Sequence, residues 1–576
     1  MVKYWNLLVI KAKNIGWWSA IFYFIVSFSF FANALHESYP DEFDNILGGW
    51  YILDGKLPYA GFFTHHGPIP YFIAAIIEIF SGQSFVRFRI FYAVFLLFVT
   101  FLIFYLLKKK IGKEVSFYPF FLVFSGIMAT YYWFHMLLAD NLAAISLLPV
   151  YAILLLKGVL NKKITLFDVG IISVFLAIAL YSSLTYTYLF VAAAMATVYL
   201  YFKNNRIVRP FISFGNFYPI ILLLTPHILF LIYLLLTQGL GDYLYQNFIF
   251  NAKYYIYNYP RPQDSTFINP IRYAVLIGHW FFVNFYTLLI GIKSFDFSFP
   301  INATMAVGNV SLIVYFLFQK HYKAAFFVLF FIVYASTRSN PLNSKETDYQ
   351  AAVYNIVSFF NIFYLLPVLY KDIGSKINDA KKIIFGFLII IVGIYSFFTF
   401  LHLVFKFNEK VVSKYMGDMS LIYDRPKLAP IVNNIVGKDE YAWIGPFEFE
   451  ELLYMNSKIP SKYHILIYGV GRSERTSQEM LADFSKNKPK VIMFDPQFVY
   501  LGKSIDTYGG FFLDFLKDNY VTLLQYSKDG IAYRSIAPIH PKEKVDLESK
   551  MFIRKDKVDE VVKKLIEKNY IREVKD

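Results

Sequence analysis

Long apolar runs separated by short polar loops fill the first 405 residues of the chain, and the alternation stops from about residue 406. The runs are about 17–25 residues long, the length an α-helix needs to cross the hydrocarbon core of a bilayer. They predict helical spans near 17–35, 87–107, 117–134, 137–156, 168–184, 186–202 and 212–236. Further spans are expected at 271–291, 302–319, 322–337, 351–370 and 383–405. The run at 71–81 is too short to cross and is expected to lie along the interface. Acidic residues, not a small-residue cleavage site, follow the first run, so it reads as a retained span.

Residues 406–576 carry no further membrane-length run and read as a soluble α/β domain. Short apolar runs bounded by turn residues predict strands at Tyr441–Ile444, Val491–Phe494, Val521–Gln525 and Ile531–Arg534. Helices are expected at 474–486 and 510–518, with an exposed amphipathic one near 556–568. The stretch 469–475, GVGRSER, has the look of a phosphate loop but lacks its full glycine pattern and its terminal Lys-Ser/Thr. Nucleotide binding is therefore not expected there. The fold class that follows is mainly α: a polytopic membrane helix bundle of 11–13 spans over 1–405, then the α/β domain.

Composition agrees. The 576 residues are 57% hydrophobic and 17% charged, below the roughly 25% charged residues of soluble domains. Cysteine is absent, which excludes disulfides and thiolate chemistry. The net charge of +15 sits largely in short loops, where membrane orientation explains it better than nucleic acid does. Placing Lys3, Lys11, Lys13, Lys108–Lys110, Lys162, Lys163 and Lys203–Arg209 inside puts the 36–86, 238–270 and 338–350 loops outside. Twelve spans would return the C-terminus to the cytoplasm. The expected arrangement has 271–291, interrupted by Gly278 and His279, interfacial or re-entrant, so that eleven spans leave the 406–576 domain extracytoplasmic; thirteen also would.

The richest chemistry lies in the polar island at 36–70, HESYPDEFDNILGGWYILDGKLPYAGFFTHHGPIP. It holds Glu37, Asp41, Glu42 and Asp44 together with His65 and His66. Carboxylates beside a bilayer are costly to keep and usually functional. Asp41, after Pro40, suits either a helix N-cap or a general base, and Glu42 stands beside it. Asp44 falls on the same helix face as Asp41 and is either an acceptor or metal contact or a solvated charge. The histidines can donate to a phosphate or bind a divalent ion, although adjacent histidines need loop geometry to do so jointly. Asp140, at the start of an apolar span, is a further acceptor or metal contact or a cap. His227 and His279 read as packing or interfacial groups without a role.

An apolar span, Pro40-Asp41-Glu42, Gly55-Lys56-Leu57-Pro58-Tyr59, His66-Gly67-Pro68, a short apolar helix, Ser81-Gly82 and Arg87 follow one another in this order. The order resembles the first external loop of the GT-C glycosyltransferases, in particular the branch of protein O-mannosyltransferases and the lipid A aminoarabinose transferase. The turn His135–Asp140 is similar to the family's short turn ending in an Asp. The resemblance is firm over about 17–110, extends in topology through 405, and does not reach the C-terminal domain. It departs at His66-Gly67-Pro68, where the family often has Lys-Pro-Pro, so a phosphate contact there would fall to a histidine.

The resemblance implies a transferase that moves a sugar from a polyprenyl-phosphate donor to a protein, lipid or glycan acceptor outside the cytoplasm. Its Asp-Glu pair maps onto Asp41, which would contact the acceptor nucleophile, and Glu42 in support. Negative charge on the departing phosphate calls for cations or donors; His65, His66, Arg338, Lys345 and Tyr349 are the candidates. The loop 238–270, with Asp242, Tyr243, Tyr245, Tyr254, Tyr255, Tyr257 and Tyr259, suits a sugar-stacking lid or an interfacial aromatic belt. A divalent metal is a further expectation. The alternative is a transporter or flippase of lipid-linked sugars, which would place paired charges within the spans and pseudo-repeats between halves; charges here concentrate in loops.

Overall fold

The computed structural model describes residues 24–25, 27–28, 30–36, 38–111, 133–160, 163–205, 217–255, 270–291, 300–337, 349–373, 379–407, 409, 424, 426–526, 531–536, 538–540 and 543–575. Most of the expected span at 117–134 lies outside these residues, as do Glu37, Arg338, Lys345, Tyr257 and Tyr259. The chain forms two compact units.

The first unit comprises Met1–Ser38, Val86–Phe230 and Pro270–Ile422. It is built of the apolar helices expected from the pattern. Among the described residues six helices are long and apolar enough to cross a membrane: Phe85–Leu107, Ala139–Val159, Leu184–Asn204, Tyr218–Leu236, Ala352–Ile373 and Asp379–Phe398. Two of them are central, with 89% of Ala139–Val159 and 78% of Ala352–Ile373 buried within the protein. Asp379–Phe398 is peripheral. Its exposed Ile383, Phe387, Ile390, Ile394 and Phe397 recur every three or four residues and form one apolar stripe suited to lipid. Pro270–Gly291 is one continuous helix through Gly278 and His279, so the expected interruption does not occur. A single glycine in a helix costs only about 1 kcal/mol relative to alanine, too little to break an apolar run of this length.

Several polar groups within this bundle are matched to one another. Tyr151 Oη donates to Asn361 Oδ1 at 2.5 Å, and Asn361 Nδ2 donates to Asn309 Oδ1 at 2.8 Å. Asn309 Nδ2 donates in turn to Ser358 Oγ at 2.8 Å, whose hydroxyl reaches Tyr354 O at 2.8 Å. Asp168, fully buried, accepts from Lys157 Nζ at 2.5 Å and completes a capping box with Thr165 at the start of Leu166–Ser182. Arg89, also fully buried, donates to the carbonyls of Ala34 and His36 at 2.9 and 3.1 Å.

The second unit gathers three stretches distant in sequence: Tyr39–Phe85, Leu231–Asn269 and Tyr423–Asp576. Its C-terminal part is α/β. Strands β1 (Ala442–Gly445), β2 (Val491–Phe494), β3 (Tyr520–Thr522) and β5 (Met551–Arg554) form one sheet in the order β1-β2-β5-β3. The β1–β2 pair is parallel and the other two pairs are antiparallel. A separate antiparallel pair joins β4 (Ile531–Ser535) to β6 (Ile571–Lys575). Trp443 of β1 is fully buried, with Phe484 and Phe512 each 5.2 Å away between ring centres. The strand expected over Val521–Gln525 is β3, and residues 523–525 turn back. The C-terminal helix, Val558–Glu567, is amphipathic but not exposed on its apolar side: Val558, Val561, Val562 and Leu565 are buried, packed towards β5 and β6. An apolar helix face left in water would lose the burial that orders it.

The N-terminal stretch of this unit holds two helices, α1 (Pro40–Leu53) and α2 (Ile69–Ser81). They pack closely because α1 carries Gly48-Gly49. A Cβ on Gly48 would stand 2.2 Å from the Tyr71 ring, and one on Gly49 would stand 2.6 Å from Ala74 Cβ. On its other side α2 exposes Ile76, Ile79 and Phe80. Glu78 faces inward, and burial pushes its carboxyl up to about 9, so α2 is uncharged on its packed face at neutral pH.

Candidate functional site

The second unit contains a cleft that opens to solvent, lined by Asp41, Asp44, Thr64, His65, His66 and His464 among polar groups. Its apolar walls are Phe63, Tyr255, Phe447, Phe449, Ile465, Ile467 and Tyr500. All three stretches of the unit contribute.

Asp41 and Asp44 come from the first turns of α1. Pro40 stands at the helix start, where its fixed φ and missing N–H are tolerated. The N-cap is Tyr39, with extended backbone and no side-chain cap bond. Asp41 therefore does not cap the helix. It sits in the first turn, where the positive end of the helix dipole favours a carboxylate. Asp44, one turn on, shares its face. Glu42 points elsewhere: it is fully buried and does not line the cleft.

Asp44 is held by donors from two directions. Tyr71 Oη of α2 donates to Asp44 Oδ2 at 2.8 Å. His464 Nε2 stands 3.2 Å from Asp44 Oδ1. Tyr71 Oη is also 2.6 Å from Thr64 Oγ1, which accepts from the His66 N–H at 3.1 Å. Burial, with Asp44 beside it, keeps the Tyr71 phenol well above its usual range, so it remains protonated. The carboxylate of α1, the phenol of α2, the loop of the histidines and the C-terminal stretch thus form one hydrogen-bonded chain.

The histidine loop is fixed at several points. Tyr59, fully buried at a φ of 73°, donates from its hydroxyl to His66 O at 2.9 Å. Such a backbone conformation is costly for a bulky side chain and is sustained by the packing around it. Thr64 N–H donates to Gln246 Oε1 at 3.0 Å, Asn251 Nδ2 to His65 O at 3.0 Å, and Phe63 N–H to Lys462 O at 3.0 Å. The His65 and His66 rings lie 4.0 Å apart, and Tyr255 lies 4.1 Å from His65 on ring centres.

The stretch expected as a tyrosine lid is helical over 240–253 and docks on the C-terminal part of the same unit. Asp242 pairs with Arg475 at 2.6 Å, and Tyr245 Oη lies 2.5 Å from Ser473 Oγ beneath the Arg475 guanidinium. Tyr243 packs on Tyr59. Of the tyrosines expected to stack a sugar, Tyr255 reaches the cleft. The GVGRSER stretch forms parts of two helices, with Ser473 capping Glu474–Lys486, and is not a phosphate loop.

Asp140 lies in the first unit, fully buried, and accepts from Ser183 Oγ at 3.2 Å. Arg338 and Lys345 lie outside the described residues, and the side chain of Tyr349 does too. Among the described residues no three His, Asp or Glu side chains are grouped to hold a metal ion. Six cleft residues were not anticipated from the sequence: Phe447, Phe449, His464, Ile465, Ile467 and Tyr500. His464 lies 420 positions from its partner Asp44, and no local spacing signals such a pairing.

No known protein family and no curated protein matches this chain. Among solved structures it is similar to the archaeal oligosaccharyltransferase AglB from Archaeoglobus fulgidus, in complex with an inhibitory peptide and a dolichol-phosphate. The likeness covers 83% of this chain and 70% of that one at 11% identity and a TM-score of 0.38. At that score it has no bearing on the activity of this chain.

Proposed function

We propose that this protein is a membrane glycosyltransferase. It moves one sugar from a polyprenyl-phosphate-linked donor to an extracytoplasmic protein, lipid or glycan acceptor, with Asp41 as general base. The observation that carries this reading is the convergence of Asp41, Asp44, His65, His66 and His464 on one aromatic-walled cleft. Partly open clefts with a few placed polar groups among aromatic walls are typical small-molecule sites. The exposed Ile76, Ile79 and Phe80 of α2 suit a lipid surface, where a polyprenyl-linked donor would be met.

In this reading the acceptor proton passes to the Asp41 carboxylate as the acceptor oxygen bonds to the anomeric carbon. The bond from that carbon to the phosphate oxygen breaks, the polyprenyl phosphate leaves with the electron pair, and configuration inverts. His65 and His66, with Arg338, Lys345 and Tyr349, stabilise the negative charge of the departing phosphate. Glu42, buried behind Asp41 in α1, supports the helix start. The C-terminal domain is extracytoplasmic, as the cleft residues are.

The test uses the full chain in proteoliposomes supplied with labelled polyprenyl-phosphate hexoses and acceptor membranes. Label appearing on an acceptor is the expected result. Donor crossing the bilayer with no transfer would contradict it and favour a flippase.

A further inference from the structure

His464 lines the cleft, and its ring carries a buried nitrogen that the transfer chemistry does not use. His464 is 2% exposed, and its Nδ1 meets no hydrogen-bond partner among the described residues. Its other nitrogen fixes the tautomer. An ionised carboxylate can only accept, so Nε2, 3.2 Å from Asp44 Oδ1, carries the proton. With the imidazole in its neutral form, Nδ1 is then a lone-pair acceptor. The ring cannot turn away from this arrangement easily. Trp443 Nε1 donates to the His464 carbonyl at 3.0 Å, and the rings of Phe449 and Tyr51 flank the imidazole at 5.5 and 5.6 Å.

A desolvated acceptor is unfavourable unless a ligand supplies a donor. The walls beside it define that ligand. Phe447, Phe449, Tyr500 and Tyr255 present apolar ring faces, and the neighbouring Asp44 carboxylate accepts further O–H groups. A neutral ring with several hydroxyls and an apolar face satisfies both demands, whereas a second anion would meet Asp41 and Asp44.

We propose that His464 Nδ1 and Asp44 are hydroxyl contacts for a pyranose ring stacked on the Phe447–Tyr500 wall, so that the C-terminal stretch supplies a substrate-binding residue. This rests on the transferase reading above. His464 is a binding residue here, and Asp44 sets its tautomer as well as contacting the sugar. The ring hydroxyl belongs either to the transferred sugar or to a glycan acceptor.

The test uses the full-length protein in membranes, with polyprenyl-phosphate hexoses, their single-deoxy analogues, and glycan acceptors with the matching single-deoxy forms. In the wild type one deoxy position should raise KM about 3–10-fold, the worth of one hydrogen bond. His464→Ala should raise KM for the parent by a similar factor and abolish the penalty for that one deoxy position, with kcat within about twofold. His464→Gln, which keeps an N–H for Asp44 but has no acceptor at the Nδ1 position, should behave as the alanine variant while unfolding at the wild-type temperature. A penalty lost on the donor assigns the contact to the transferred sugar, and one lost on the acceptor assigns it to the acceptor glycan. Wild-type KM values in both variants, or unchanged deoxy penalties, would overturn the inference and leave the transferase reading standing. Absence of transfer by the wild type would overturn both.

Discussion

Two hydrogen-bonded chains, one in each unit, end differently. In the helix bundle Tyr151, Asn361, Asn309 and Ser358 pass hydrogen bonds from one to the next and end on a backbone carbonyl. Asp168 is likewise matched by Lys157 and Thr165. These groups cost little because each has its partner. In the second unit the chain His66–Thr64–Tyr71–Asp44–His464 starts at a loop and ends at a ring nitrogen with no partner among the described residues, beside a cleft. The contrast separates two uses of the same residue types. A closed network specifies helix packing, and one with an open end at a cleft is prepared for a ligand.

That distinction can be broken at either network. The largest effect is expected where α1 meets α2. Gly48→Val would drive side-chain carbon into the Tyr71 ring, and overpacking of this kind costs about 1–3 kcal/mol or more. It should lower the unfolding temperature and displace Tyr71 from Asp44, so that transfer falls together with stability. Asn361→Leu should cost about 1–3 kcal/mol by leaving the Tyr151 hydroxyl and Asn309 Oδ1 unmatched, read by thermal unfolding in detergent. Transfer kinetics of the folded variant should be unchanged; a selective loss of kcat would erase the distinction.

A smaller effect concerns pH. Burial, with Glu451 nearby, pushes the carboxyls of Glu448 and Glu450 up to about 7. Raised carboxyl values mean that the protonated form is favoured in the folded state. Their contribution is therefore fully present below the unfolded value of about 4.5 and is lost as pH rises through about 7. Glu448→Gln should flatten the fall in unfolding temperature between those limits. An unchanged slope would remove Glu448 from it.

Much of the architecture was legible in the sequence because membrane helices and buried strands carry strong local patterns. The runs at 137–156, 186–202 and 351–370 became helices within a few residues of their expected ends. Val491–Phe494 is a strand with the expected ends. Strands β5 and β6 escaped notice because MFIR and IREVK are short and flanked or interrupted by charge, and their partners decide their conformation. At the cleft, Asp41, Asp44, His65 and His66 stood out as a polar cluster between apolar runs. His464 did not. It lies in an irregular stretch before Tyr468–Arg472, and its meaning arises from a partner 420 residues away. Glu42 illustrates the converse: adjacency to Asp41 suggested a shared site, but helical geometry turns neighbouring residues about 100° apart, and Glu42 is buried.

In the proposed reaction the Asp41 carboxylate removes the acceptor proton. Single-turnover transfer from a polyprenyl-phosphate hexose by Asp41→Asn, with donor binding measured on the same preparation, tests it most directly. Transfer is expected to fall by about 10²–10⁴-fold while donor affinity stays within a few fold. Transfer at the wild-type rate by a variant that binds donor normally would contradict it.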